Sequence, residues 1–170
     1  MLVSEYVLRI PIERHVLNTR RSFTAVIQDI RETLGTSEAG IQLRRRTTAG
    51  KRARPVRRVN STLAQVRLIG IAELEISGSW GREHGTSRLI RLLVDMPTAS
   101  GDLVRFLPDA GASCPAAILV QQIADDGTRL IYDSVASAVS IYQDERSLTV
   151  ARELDAEVLA LLRRIANPAG

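Results

Sequence analysis

Apolar and polar positions divide the chain into stretches that repeat every second residue and stretches that repeat at helical spacing. Residues 3–10 (V-S-E-Y-V-L-R-I) are rich in β-branched and aromatic side chains and run into Pro11, which predicts a strand. Beyond it Phe23, Val26, Ile27, Ile30 and Leu34 recur three and four apart. That spacing predicts a helix with one buried face, capped by Ser22 and closed by Gly35 in a left-handed conformation. Residues 68–76 (L-I-G-I-A-E-L-E-I) predict a strand in which Glu73 and Glu75 alternate with Ala72, Leu74 and Ile76. Its second half then has one wet face, from which the glutamates meet Arg91 across the sheet. Residues 89–95 (L-I-R-L-L-V-D) are nearly continuously apolar and stop before Pro97, as a central strand would.

Residues 117–124 and 129–135 flank Asp125-Asp126-Gly127-Thr128, and Asp-Gly between apolar runs is a strong hairpin signal, so these strands pair antiparallel. A last helix is predicted to open near Ser147 and to set Leu154, Val158, Leu161, Leu162 and Ile165 on one side. Arg163 and Arg164 fall in its last turn, with Pro168 beyond. Residues 79–85 and 102–107 predict single helical turns. The order strand, helix, insert, four strands, helix predicts one α+β domain over residues 1–170. It is a two-layer domain, an antiparallel-rich sheet of about five strands with two long helices on one face.

Charge changes this picture once it is located. The chain carries 23 Lys and Arg against 19 Asp and Glu, a net charge of +4. Between residues 39 and 72 stand nine basic residues, Arg44, Arg45, Arg46, Lys51, Arg52, Arg54, Arg57, Arg58 and Arg67, and no acid. The remaining chain therefore has 14 basic and 19 acidic residues, or −5. The basicity belongs to an insertion at residues 37–67, where two extended arms are predicted to turn at residues 49–51. Two readings of this arm stand. Clustered arginines neutralise phosphates of a nucleic acid, or they face an acidic protein surface, such as that of a second subunit. Residues 41–59 contain no aromatic ring to stack on bases, which favours the second.

The single cysteine, Cys114, has no partner for an internal disulfide, which points to a reducing compartment. Glu5 and Arg9 interrupt the N-terminal apolar stretch where a secretory signal needs continuity, and no apolar run approaches the roughly 18 residues of a spanning helix. A cytoplasmic protein with no membrane contact is expected.

Ser22-Phe23 opening the first helix, Gly81-Arg82-Glu83-His84-Gly85 before residues 88–94, Pro97, Pro115 before residues 117–120, the Asp126-Gly127 hairpin with Tyr132, and the closing amphipathic helix resemble the domain of unknown function 302 family. The resemblance covers residues 3–36 and 68–166. It implies a TATA-binding-protein-like α+β fold and a homodimer, and little chemistry. This chain has Asp95-Met96-Pro97 where the family pattern has Gly-Asn-Pro, and Ile76-Ser77 where an Asp-His pair is common, so a family site at those positions would be altered here.

Candidate chemistry is thin. His84 is a conceivable haem or metal ligand, but with His15 as the only other histidine no ligand cluster forms, and a surface histidine is the simpler reading. Cys114 reads as a buried structural residue, since its surroundings match no cysteine-enzyme signature. No catalytic residues, metal or cofactor are therefore assigned. Trp80, His84, Asp95 and Tyr132 are the candidate lining of a ligand cleft. The reading is a non-enzymatic homodimeric module for a small ligand or a protein partner, with the arm on an acidic surface and a nucleic-acid-associated protein as the alternative. The alternative makes a sharp prediction: if half of the eight cations at residues 44–58 meet phosphate, log affinity falls with log salt at a slope of about −4. A flat response on a heparin column eliminates it.

Overall fold

The computed structural model describes residues 5–36, 67–76, 88–123 and 126–168. Its sheet has six strands, β1 (Arg14–Thr19), β2 (Gly35–Thr36), β3 (Ile69–Glu75), β4 (Leu89–Asp95), β5 (Ala116–Gln122) and β6 (Thr128–Asp133). They lie in the order β1-β6-β5-β4-β3-β2, antiparallel except where the two-residue β2 runs parallel to β3. The helices are α1 (Phe23–Thr33), α2 (Pro97–Phe106), α3 (Val135–Val139) and α4 (Glu145–Ala166), with short 3-10 turns at Pro108–Ser113 and Ser140–Tyr142. The α+β class, the antiparallel sheet and the two long helices agree with the sequence pattern.

The core follows from which side of each strand is apolar. Leu92 and Val94 of β4, Ile118 and Val120 of β5, and Leu130 and Tyr132 of β6 are buried on one face of the sheet. Against them α1 sets Val26 and Ile30, α2 sets Leu103, and α4 sets Leu154, Val158 and Leu162. Ser22 caps α1 by accepting from the Ala25 amide at 3.3 Å, and Asp144 caps α4 by accepting from the Ser147 amide at 2.7 Å.

Several elements depart from the pattern. The first strand lies beyond Pro11 rather than before it. Proline has no N–H for a ladder, and the chain pairs with β6 only from Arg14 onward. The predicted strand at residues 3–10 is in no strand where it is described, and Tyr6 and Val7 are 76% and 78% exposed. Gly35 does not close α1 in a left-handed turn. Leu34 is already extended, and Gly35 enters β2, donating its N–H to the Leu68 carbonyl at 3.0 Å. The single turn expected at residues 102–107 is instead the end of α2, which starts at Pro97, a residue suited to a first helical position because its missing N–H is not needed there. The last helix opens at Glu145, ahead of Ser147. The predicted turn at residues 79–85 and the predicted arms at residues 41–59 lie outside the described residues.

A bulge changes the faces of β3. The register shifts between Gly70 and Ala72, so Glu73 stands opposite Leu92 and Glu75 opposite Ile90, while Leu74 stands opposite Arg91. Glu73 therefore lies on the helix side, where Arg31 of α1 donates to it from Nε at 2.9 Å and also from Nη2. The expected pairing of the glutamates with Arg91 is overturned, because Arg91 is on the opposite face. Leu74 and Ile76 are turned toward that helix-free face and are 41% and 51% exposed.

Core and surface positions separate cleanly. Leu130→Ala, at a fully buried site, is expected to lower unfolding free energy by about 2–5 kcal/mol in urea titrations. Val104→Ala, at an exposed site on α2, changes it by no more than about 0.5 kcal/mol.

Candidate functional site

The polar centre of the molecule is a carboxylate that belongs to an apolar stripe. Ala151, Leu154, Val158 and Leu162 of α4 face the sheet at helical spacing, and Asp155 sits among them, 8% exposed. Burial of a charge demands partners. Asp155 Oδ1 accepts from the Tyr132 hydroxyl at 2.6 Å and the Val135 amide at 2.9 Å, and Oδ2 accepts from the Ser134 hydroxyl at 2.5 Å and the Ala136 amide at 3.1 Å. These donors come from the end of β6 and the start of α3. Ser134 also caps α3, accepting from the Ser137 amide at 3.0 Å.

Of the proposed cleft residues, Asp95 and Tyr132 are described, and Trp80 and His84 lie outside the described residues. Asp95 ends β4 and accepts from the Ser100 hydroxyl on α2. Tyr132 is 1% exposed, with its ring stacked on His15 at 6.3 Å between centroids and its hydroxyl committed to Asp155. Burial pushes the Tyr132 phenol well above the usual tyrosine range, and the charge of Asp155 and the bond to it add to the effect. Cys114 is partly buried against the core. Burial pushes its thiol up, and the charges of Asp95 and Asp155 push the same way, while a hydrogen bond with Ser100 opposes them. Such a thiol stays protonated at neutral pH, in keeping with a structural cysteine.

Asp155, Ser134 and Ser100 were not among the residues singled out from sequence. A signal existed for the first: an acid at a position of α4 with Ala151 four residues before it and Val158 and Leu159 three and four after it, Arg152 being the one charged neighbour at helical spacing. Among the described residues no group of three His, Cys, Asp or Glu side chains is placed to hold a metal ion, and no helix is long and apolar enough to cross a membrane.

The surface offers a second feature. The face of the sheet away from the helices carries Val16, Ile131, Leu119 and Leu74 along one cross-strand row, with Arg91 between the last two, and Ala117, Leu93 and Ala72 along the next. Among the described residues no helix covers this face. Arg14 and Asp133 form an ion pair at its edge at 2.6 Å, and each holds the other more firmly charged, raising the arginine pKa and lowering that of the aspartate. The proposed polyanion-binding residues Arg44, Arg45, Arg46, Lys51, Arg52, Arg54, Arg57 and Arg58 lie outside the described residues. Arg67, the last cation of that stretch, is described and pairs with Glu157 of α4.

No family model and no curated protein matches this chain. Its fold is similar to that of a crystal structure described as an uncharacterized conserved protein DUF302 from Bacillus stearothermophilus. The TM-score is 0.63 at 13% identity, over 89% of this chain and 97% of that one. The chain thus has a DUF302-like fold, in agreement with the resemblance read from its residues.

The Asp155 network predicts both a stability and a pH effect. Tyr132→Phe removes one hydrogen bond to a buried charge and is expected to cost about 1.5–3 kcal/mol. Because the folded state holds the tyrosine proton more tightly than the unfolded chain, the stability Tyr132 contributes is intact below the ordinary tyrosine pKa of about 10 and falls as pH rises above it. Urea titrations from neutral to alkaline pH should show the gap between the native protein and Tyr132→Phe narrowing above that point. A constant gap contradicts it.

Proposed function

We propose that the chain is a non-enzymatic assembly and binding module that pairs with a second copy through the helix-free face of its sheet. The observation that carries this reading is the apolar composition of that face. An antiparallel sheet with one solvated side ordinarily alternates apolar inward and polar outward. Here the outward positions include Val16, Leu74 and Ile76, 50%, 41% and 51% exposed, around half-buried Leu93, Leu119 and Ile131. An apolar patch of this kind, crossed only by Arg91 along its central row, marks an interface, and a symmetric dimer needs only one such patch, because it meets itself. The homodimer implied by the family resemblance is consistent with this arrangement.

In this reading, a small ligand or a protein partner occupies a cleft that the pairing completes, near Asp95, Trp80 and His84. The cations at residues 44–58 face the acidic remainder of the partner subunit. The arm-on-nucleic-acid alternative draws on the same eight cations of residues 44–58.

Light scattering on the purified protein tests the pairing. The expected mass is about 37 kDa, twice the 18.7 kDa of one chain. Val16→Glu with Leu74→Glu, at exposed positions that leave the core untouched, should return it to that of one chain with an unchanged circular dichroism spectrum. A monomeric native protein, or a double variant that still pairs, overturns the proposal.

A further inference from the structure

The strand β1 forms one edge of the sheet, and among the described residues no strand pairs with its outer side. Beside that edge, between β1 and the C-terminal turn of α4, runs an open groove of about 590 Å³. It is lined by Leu17, Asn18, Arg163, Arg164, Ala166 and Asn167. Hydrogen bonds fix its shape. Thr19 Oγ1 donates to the Ala166 carbonyl at 2.8 Å and Arg21 Nη1 to the Ile165 carbonyl at 2.8 Å, so the end of the helix is tied to the end of the strand.

The charge in this groove has one sign. Arg163 and Arg164 are exposed and have no carboxylate partner among the described residues. Nearby cations are already committed: Arg21 pairs with Asp29 at 2.6 Å, Arg14 pairs with Asp133 at 2.6 Å, and Arg129 Nε donates to Asn18 Oδ1 at 3.0 Å. The helix macrodipole accounts for cations in the last turn of α4. It does not account for their lining a groove alongside a strand edge that, among the described residues, has no partner on its outer side.

Edge strands of natural sheets are usually blunted by lysines, prolines, bulges or shortness, because a bare row of N–H and C=O groups invites another strand. β1 is six residues long, pairs with β6 in unbroken register and contains no proline. Its one arginine is the ion-paired Arg14.

We propose that the β1 edge receives an extended acidic segment of a partner protein as an added strand. Its backbone pairs with β1. Side chains on the helix side are carboxylates directed at Arg163 and Arg164, and those on the other side are apolar and lie beside Val16. Backbone pairing supplies affinity and the alternating side chains supply selectivity. A peptide fits better than a nucleic acid, because the edge offers backbone donors and acceptors and the groove lining contains no aromatic ring. This surface is the rim of the sheet, not the face assigned to pairing, and the inference does not depend on the dimer.

The test uses the full chain and a fluorescein-labelled octapeptide of alternating glutamate and valine, read by fluorescence anisotropy. The cations at residues 44–58 also attract acids, so peptide charge alone decides nothing. Two comparisons isolate the edge. A peptide of the same sequence, N-methylated at alternate residues, keeps its charge but cannot pair as a strand and should bind at least about tenfold more weakly. The Arg163→Gln/Arg164→Gln double variant keeps the basic run and should bind the unmodified peptide about tenfold more weakly, since exposed pairs contribute modestly. The inference is overturned if the glutamate–valine peptide shows no saturable binding, or if the methylated peptide binds equally well. It is also overturned if the double variant matches the native protein, or if oligothymidylate displaces the peptide from Arg163 and Arg164.

Discussion

A single buried carboxylate organises the helical layer. Asp155 reaches from α4 to the end of β6 and the start of α3, and it accepts four hydrogen bonds there. A charge in the interior is costly unless it is fully bonded, so the network tolerates little variation in how α4 lies on the sheet. Tyr132 anchors it from the sheet side, and Ser134 both bonds the carboxylate and caps α3. With α4 held in this way, and α1 tied to β3 through Arg31 and Glu73, both long helices lie on one face. Among the described residues no helix covers the opposite face.

That asymmetry gives the open face its meaning. Leu93, Leu119 and Ile131 are only half-buried by their neighbours, and Val16, Leu74 and Ile76 are largely in water. The bulge in β3 contributes directly, because it turns Leu74 and Ile76 outward and brings Glu73 to the helix side, where α1 supplies Arg31. At the β1 rim of the same sheet, Arg163 and Arg164 of α4 stand beside the strand edge with no carboxylate partner among the described residues. Face and rim differ in chemistry, one largely apolar, the other cationic and edged with backbone groups.

Much of this was readable in the residues. Helical spacing from Phe23 to Leu34 and from Leu154 to Ile165 located both long helices, and Asp126-Gly127 located the β5–β6 hairpin, whose loop holds Asp126 at φ 56°. The order of elements and the fold class followed. What escaped was information that local pattern does not hold. Residues 3–10 have the composition of a strand, but pairing is decided by a partner, and β6 meets the chain only after Pro11. The alternation around Glu73 was correct as an alternation. A bulge at Ile71 decided which side faced the helices, and the one local sign of it is Gly70, an isolated glycine inside an apolar strand pattern. At the candidate site, Tyr132 was singled out, yet its partner Asp155 lies 23 residues away on an otherwise apolar stripe, where only the contrast with its neighbours marked it.

The central claim is that this fold exists to present a helix-free apolar face to a second copy of itself. Isotope-filtered nuclear Overhauser spectra of a sample mixing carbon-13-labelled and unlabelled chains test it most directly. The account predicts intermolecular contacts from the methyl groups of Val16, Leu74, Leu119 and Ile131. Intermolecular contacts confined to the outer surfaces of α1 and α4, or none in a sample concentrated enough for the spectra, would contradict it.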